Sequence, residues 1–93
     1  MDKYLLKLYI TGQTPRSVYA TTNLSRLVAE VLRDQCEVII IDALEQPELA
    51  EADRVLATPT LIKASPPPAR RIIGDLSDAQ KVIQGLGLNP SPD

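Results

Sequence analysis

Two apolar runs flank a helical pattern in the first half of the chain, and this order constrains the fold most. The run from Tyr4 to Ile10 is broken only by Lys7, which predicts a strand covered on both faces. Residues 37–42 contain the second run, Val38 to Ile41, which predicts another buried strand. A strand, helix, strand order within residues 4–42 is a βαβ unit, whose strands we expect to be parallel with a right-handed crossover.

The helix between these strands has a defined start and an apolar stripe. Thr14 is suited to be the N-cap and Pro15 to be the first helical residue. Apolar residues then recur at helical spacing, and we expect the helix to end at Asp34-Gln35. The stripe consists of Leu24, Leu27, Val28, Val31 and Leu32.

The second half predicts a helix, two strands and a last helix. Pro47 opens a helix that runs to Leu56, and we expect one face of it to carry Leu49, Ala52, Asp53 and Leu56. Short strands are expected at 60–63 and 70–73, joined through Pro66, Pro67 and Pro68, because consecutive prolines cannot pair in a sheet. The last helix is predicted to be capped by Ser77, with an apolar face of Ala79, Val82, Ile83 and Leu86.

The end of that last helix has conflicting local preferences. Gly85 and Gly87 weaken a helix, and the alternation of glycine and leucine over 85–88 is typical of a strand. The segment is therefore predicted to be either a weak helix or a stretch with two competing structures. Replacing either glycine with alanine is expected to favour the helix, unless that glycine has a positive φ.

Composition excludes several classes of function. A net charge of −2 argues against a general nucleic-acid binder, and the absence of histidine removes most nucleophile systems and zinc sites. No apolar stretch is long enough to span a bilayer, and charges interrupt the N-terminal apolar run, so we expect a cytoplasmic protein. We expect a single domain over 1–88 with a short flexible tail at 89–93, no cofactor and no metal, and binding to a protein rather than catalysis.

The element order indicates a thioredoxin-like α/β architecture without thioredoxin chemistry. The stretch from Thr11 to Arg16, where a redox enzyme of that fold carries its two cysteines, has no thiol. Cys36 lies beyond the far end of the helix, and we interpret it as a small apolar residue at a strand start. Asp75 and Asp78 are better explained by helix capping than by catalysis.

Charges are segregated along the second half. Seven acids and no base occur from Asp34 to Asp53, and five bases with two acids occur from Arg54 to Lys81. Such runs are either solvated faces or a surface that selects a partner of complementary charge. Arg70 and Arg71 are either a solvated pair or part of such a surface, and in a strand only one of them faces a given side.

Three segments resemble the KaiB family of circadian-clock proteins. They are residues 8–15, residues 56–61 and, most specifically, residues 66–77, which read PPPARRIIGDLS. The resemblance implies a non-enzymatic regulator that binds the N-terminal ATPase ring of a KaiC-like hexamer and modulates its phosphorylation or ATPase cycle. KaiA or a clock histidine kinase would be indirect partners. The alternative is a thioredoxin-like adaptor in stress response or signalling that has no KaiC partner.

The resemblance also implies two folds for residues after about 45. One is a thioredoxin-like form, which binds the ring, and the other is a ground-state homo-oligomer, a tetramer or dimer, with a different C-terminal half. It assigns partner binding to Lys63 and Arg71, beside Arg70, and switching or assembly to a larger set. That set is Tyr4, Thr58, Pro59, Pro66, Pro67, Pro68, Gly85 and Gly87. Gly87 and Tyr19 depart from the aspartate and arginine of the well-known cyanobacterial form.

Overall fold

Four strands and three α-helices form along residues 3–90, the part of the chain that the computed structural model describes. The elements are β1 (Tyr4–Ile10), α1 (Pro15–Leu27), β2 (Cys36–Asp42), α2 (Pro47–Ala52), β3 (Thr60–Ser65), β4 (Arg70–Ile73) and α3 (Ala79–Leu86). A π-helical turn over Val28–Leu32 and a 3-10 turn over Arg33–Gln35 extend α1 toward β2. Residues 91–93 of the predicted tail lie outside the described residues.

The sheet has the strand order β2-β1-β3-β4. β1 pairs with β2 in parallel, whereas β1 with β3 and β3 with β4 are antiparallel. The parallel βαβ unit predicted for residues 4–42 is confirmed. Of the two arrangements left open for the C-terminal half, the structure has the thioredoxin-like one.

The start of α1 agrees with the predicted capping signal. The Thr14 hydroxyl accepts a hydrogen bond from the backbone N–H of Ser17 at 3.4 Å, and Pro15 is the first helical residue. The π-helical turn carries the apolar stripe on to Leu32, which is fully buried. The local pattern thus gives α1 one face that packs against the sheet.

β1 is the centre of the molecule because apolar side chains cover both of its faces. Leu6 and Leu8 point into the larger core, which lies under α1 and α3. Tyr9 points to the opposite face and belongs to a smaller core under α2. The larger core contains Leu6, Leu8, Ala20, Leu24, Leu27, Leu32, Leu61, Leu76, Val82, Leu86 and Leu88, and the smaller one contains Tyr9, Ile41, Ala50 and Ile62.

The predicted strand at residues 37–42 is present, but the prediction that Val38 to Ile41 are buried is wrong. β2 is an edge strand, and Ile39 and Ile40 remain 45% and 47% exposed. An apolar run predicts a strand, but it does not show whether other strands pair with it on one side or on both. The edge position of β2 therefore could not be predicted from the sequence. Only Ile41 at the end of β2 is buried.

The predicted extent and face of α2 are also wrong. The helix ends at Ala52, and Arg54 has a positive φ of 54°, which turns the chain out of the helix. Ala50 is the residue that packs into the core, whereas Leu56 lies beyond the helix and is 94% exposed. The backbone at Arg54 therefore sets the end of α2, and the apolar spacing does not.

α3 begins one residue later than the predicted cap implied. Asp78, not Ser77, is the N-cap, and its carboxylate accepts from the backbone N–H of Lys81 at 3.2 Å. Ser77 instead donates its hydroxyl to Asp75 at 2.9 Å, in a turn that precedes the helix. Both residues can cap a helix, and the loop geometry selects the aspartate.

The two glycines of α3 have different roles. Gly87 has a φ of +67° and follows the helix, while Leu88 donates its N–H to the carbonyl of Ile83 at 2.9 Å. This is a Schellman ending, which favours glycine. Gly85 lies inside the helix, where an added Cβ would be 2.8 Å from Cδ1 of Ile72. The expectation that alanine favours the helix therefore reverses at Gly87, and at Gly85 it requires Ile72 to move.

Gly87→Ala should lower the free energy of unfolding by about 1 kcal/mol, because a Cβ is disfavoured in the left-handed region. Gln84→Ala, at an exposed position inside the same helix, is the matched control and should have little effect or a small stabilising one. Urea unfolding followed by circular dichroism measures both. Equal stability of Gly87→Ala and the parent chain would contradict the Schellman assignment.

Candidate partner-binding surface

Lys63 lies in β3 on the sheet face that packs against α1 and α3. It pairs with Leu6 in β1 and with Arg70 in β4, and the residue is only 4% exposed. A lysine in such a place buries its aliphatic stem among apolar neighbours and keeps its charge at the margin. What a partner can reach of Lys63 is therefore small and lies beside Arg70.

Arg70 is exposed and lies on the same face as Lys63. Its side chain runs past the end of α3, where a Cβ on Gly87 would be 3.5 Å from its Nε. The last carbonyl groups of a helix carry partial negative charge, which favours a cation there. Lys63 and Arg70 are directly opposite each other on β3 and β4, so two positive charges lie close together next to that helix end.

Arg71 points to the opposite face of the sheet, toward α2. Its Nη2 donates to the backbone carbonyl of Asp53 at 2.7 Å, and its Nη1 donates to that of Arg54 at 3.2 Å. The alternation of a strand thus brings Lys63 and Arg70 together and separates Arg71 from them, as expected for neighbouring strand residues.

Asp53 is the centre of a polar cluster on the α2 face that sequence reasoning missed. Its carboxylate accepts from the Tyr9 hydroxyl at 2.5 Å and from Lys7 Nζ at 3.2 Å. Tyr9 is 1% exposed, and its hydroxyl also lies 3.1 Å from the carbonyl oxygen of Leu49. Lys7, the only charge within the apolar run of β1, was the signal that could have pointed to this cluster.

The cluster shifts the pKa of two of its members in opposite directions. Burial, followed by the hydrogen bond to the Asp53 carboxylate, raises the pKa of Tyr9 to about 12. The hydrogen bond from Tyr9 lowers the pKa of Asp53, and Lys7 adds to that effect against the contribution of burial. Both shifts favour a neutral phenol that donates to an ionised carboxylate.

The predicted switch prolines all lie at connections around β3. The Thr58-Pro59, Ser65-Pro66 and Pro67-Pro68 peptide bonds are cis. The Thr58 hydroxyl is hydrogen bonded to that of Thr11 at the end of β1. The carbonyl of Pro59 accepts from the N–H of Gly74 at 2.9 Å, so the residue before β3 is bonded to the residue after β4.

Tyr4, assigned by resemblance to the resting assembly, has an intramolecular role here. Its hydroxyl accepts a hydrogen bond from the backbone N–H of Asn89 at 2.8 Å, and its ring packs against the larger core. Residue 89, the first of the predicted tail, is therefore attached to the start of β1.

The position of a thioredoxin active site is occupied by hydroxyl groups. The Ser17 hydroxyl accepts from the N–H of Thr11 at 2.9 Å and from the Thr14 hydroxyl at 2.9 Å, which closes the loop before α1. Cys36 is half-buried at the start of β2, and burial raises its thiol pKa. A raised pKa disfavours the reactive thiolate.

Residues 3–90 contain no group of His, Cys, Asp and Glu side chains arranged to hold a metal ion. Within the same residues, no helix has the length and apolar character required to cross a membrane.

Arg70, the cis prolines and the thiol-free loop before α1 lie in or next to the segments on which the family resemblance depends, whereas Lys63 lies between two of them. A model of the KaiB domain matches residues 7–88. The chain belongs to the KaiB family. The circadian clock protein KaiB3 of Synechocystis sp. is 51% identical over 90 residues, covering 97% of this chain and 88% of its own. The circadian clock oscillator protein KaiB of Microcystis aeruginosa is 52% identical over 85 residues, covering 91% and 82%.

Solved structures similar to this KaiB-family chain are thioredoxin-like. The N-terminal domain of SasA from Synechococcus elongatus has a TM-score of 0.75 at 27% identity, covering 90% of this chain and 83% of that domain. Mitochondrial thioredoxin 3 from Saccharomyces cerevisiae has a TM-score of 0.74 at 17% identity, covering 94% and 79%. The second likeness concerns the fold alone. The predicted thioredoxin-like fold class is confirmed.

The raised pKa of Tyr9 predicts a loss of stability in alkali. Between pH 10 and 12 the unfolded chain loses the Tyr9 proton while the folded chain keeps it, so the free energy of unfolding falls as pH rises. Tyr9→Phe should remove roughly 2–3 kcal/mol of this decline. Urea unfolding from pH 8 to 12 measures it, and Tyr19→Phe at an exposed tyrosine is the control. Parallel pH profiles for Tyr9→Phe and the parent chain would refute the coupling.

Proposed function

We propose that this protein is a non-enzymatic regulator of a circadian-clock-type system that binds the N-terminal ATPase ring of a KaiC-like hexamer. Binding would modulate the phosphorylation or ATPase cycle of the ring. Membership of the KaiB family is the single observation that carries the proposal. The relatives are named circadian clock proteins or circadian clock oscillator proteins.

The positive site at Lys63 and Arg70 supports a protein partner of opposite charge. Arg70 is exposed beside the end of α3, and Lys63 is its cross-strand neighbour on the same face of the sheet. Complementary charge selects partners and speeds their encounter. The proposal assigns direct contact with the ring to Arg70. Lys63 and Arg71 are included as residues that the family resemblance implies for binding, with no direct contact assigned to them.

The proposal also includes a second, resting form. In it the thioredoxin-like arrangement is the form that binds the ring, and a homo-oligomer, dimer or tetramer, is the resting form. Tyr4, the prolines at 59 and 66–68, and the glycines at 85 and 87 would differ most between the two. KaiA or a clock histidine kinase would act indirectly, and we place the protein in the cytoplasm.

The deciding experiment is complex formation with the cognate KaiC-like ATPase. The chain and the nucleotide-bound ring are mixed for hours, and the mass of the complex is measured after size-exclusion chromatography. A stable complex that changes the ATPase rate supports the proposal. If no complex forms, the proposal fails and a thioredoxin-like adaptor in stress response or signalling is the remaining reading of the fold.

Arg70→Glu should weaken ring binding about tenfold or more, because it places a like charge against an acidic partner surface. Arg26→Glu, at an exposed position in the last turn of α1, is the matched control and should bind as the parent chain does. Titration at two salt concentrations measures both affinities. Equal weakening by the two variants would mean that net charge, and not the site at Arg70, controls binding.

A further inference from the structure

The corner formed by Asp53 and Arg54 joins three elements of the fold. The Asp53 carboxylate accepts hydrogen bonds from Tyr9 and Lys7, which are both in β1. The backbone carbonyls of the same two corner residues accept from the Arg71 guanidinium, which comes from β4. The side chain of Asp53 therefore bonds the C-terminal end of α2 to β1. The main-chain carbonyl oxygens of Asp53 and Arg54 bond it to β4.

The same corner ends the helix in an unusual way. Val55 donates its N–H to the carbonyl of Ala50 at 2.9 Å, and Arg54 donates to that of Glu51 at 3.0 Å. These two bonds are the Schellman motif, and Arg54 occupies its left-handed position with a φ of 54°. In α3 the equivalent position is Gly87. An arginine there is strained where glycine would not be.

A helix as short as α2 depends on such contacts. It spans six residues, Pro47–Ala52, and helices far shorter than about 12 residues do not form by themselves in water. Ala50 alone in it is buried, so apolar packing holds it weakly. The guanidinium of Arg71 meets the negative end of the helix, and its hydrogen bonds offset the strain at Arg54.

We propose that Arg71 and Asp53 are positioning residues that hold the C-terminal end of α2 on the sheet. Arg71 then contributes to partner binding through α2 and not by touching the partner. The positioning of α2 concerns the free protein alone, and the contribution of Arg71 to partner binding rests on the proposed function. This separates Arg71 from Arg70, whose side chain lies on the other face of the sheet, beside the end of α3.

Hydrogen exchange in the free, full-length chain tests whether Arg71 and Asp53 hold the end of α2. Arg71→Ala and Asp53→Asn should each lower the protection of the Val55 amide roughly tenfold, since each removes charge-assisted bonds at a partly exposed site. Arg70→Ala is the matched control and should leave that amide unchanged. A direct partner contact would not alter exchange in the free protein, so unchanged protection in Arg71→Ala overturns the proposal.

Removing the backbone strain at Arg54 tests whether Arg71 contributes to partner binding through α2. Arg54→Gly should raise the protection of the Val55 amide about fivefold, because glycine adopts the left-handed conformation without strain. Arg54→Ala removes the same charge without that relief and is the control. In the Arg54→Gly background, Arg71→Ala should then reduce ring binding by a smaller factor than it does in the Arg54→Ala background.

The outcomes separate the two proposals. If Arg71→Ala weakens ring binding by the same factor in both backgrounds, Arg71 touches the partner and its positioning role in binding is wrong. If the parent chain binds no ring, the proposed function fails, and the exchange measurements still decide whether Asp53 and Arg71 hold α2.

Discussion

Burial of β1 on both faces is the constraint on which the rest of the structure depends. Leu6 and Leu8 enter the larger core, and Tyr9 enters the smaller one. Because β1 also pairs with strands on both sides, α1 and α3 must cover one face and α2 the other. Side chains of β1 therefore enter both cores, and Lys7 and Tyr9 are hydrogen bonded to Asp53 at the end of α2.

The two cores are unequal, and this inequality explains where the polar cluster lies. α1 and α3 supply a continuous set of leucine and valine side chains, so that face needs few polar contacts. α2 contributes only Ala50, and the smaller core is completed by hydrogen bonds from Tyr9 and Lys7 to Asp53. The Asp53 carboxylate accepts hydrogen bonds from the Tyr9 phenol and the Lys7 ammonium group. These bonds replace those it would make to water, although its surroundings are partly apolar.

Local signals in the sequence predict several elements because their physics is local. Thr14-Pro15 starts α1, and the strands from Tyr4 and Arg70 have the predicted bounds. Patterns that depend on neighbours were misread. The edge position of β2 left Ile39 and Ile40 exposed, and the positive φ at Arg54 ended α2 early. Asp53 was misread as part of a helix face, because its partners lie 44 and 46 residues away.

The sequence by itself determined the family, the parallel βαβ half, and the opposite facing of Arg70 and Arg71. All three follow from residue identity or from the period of a strand. Tertiary structure decided the arrangement of the C-terminal half, whose local preferences conflict at residues 85–88. It also decided that Lys63 is buried beside Arg70 while Arg71 is bonded to the end of α2. Contacts between residues distant in the chain have no local pattern, so only the folded arrangement reveals them.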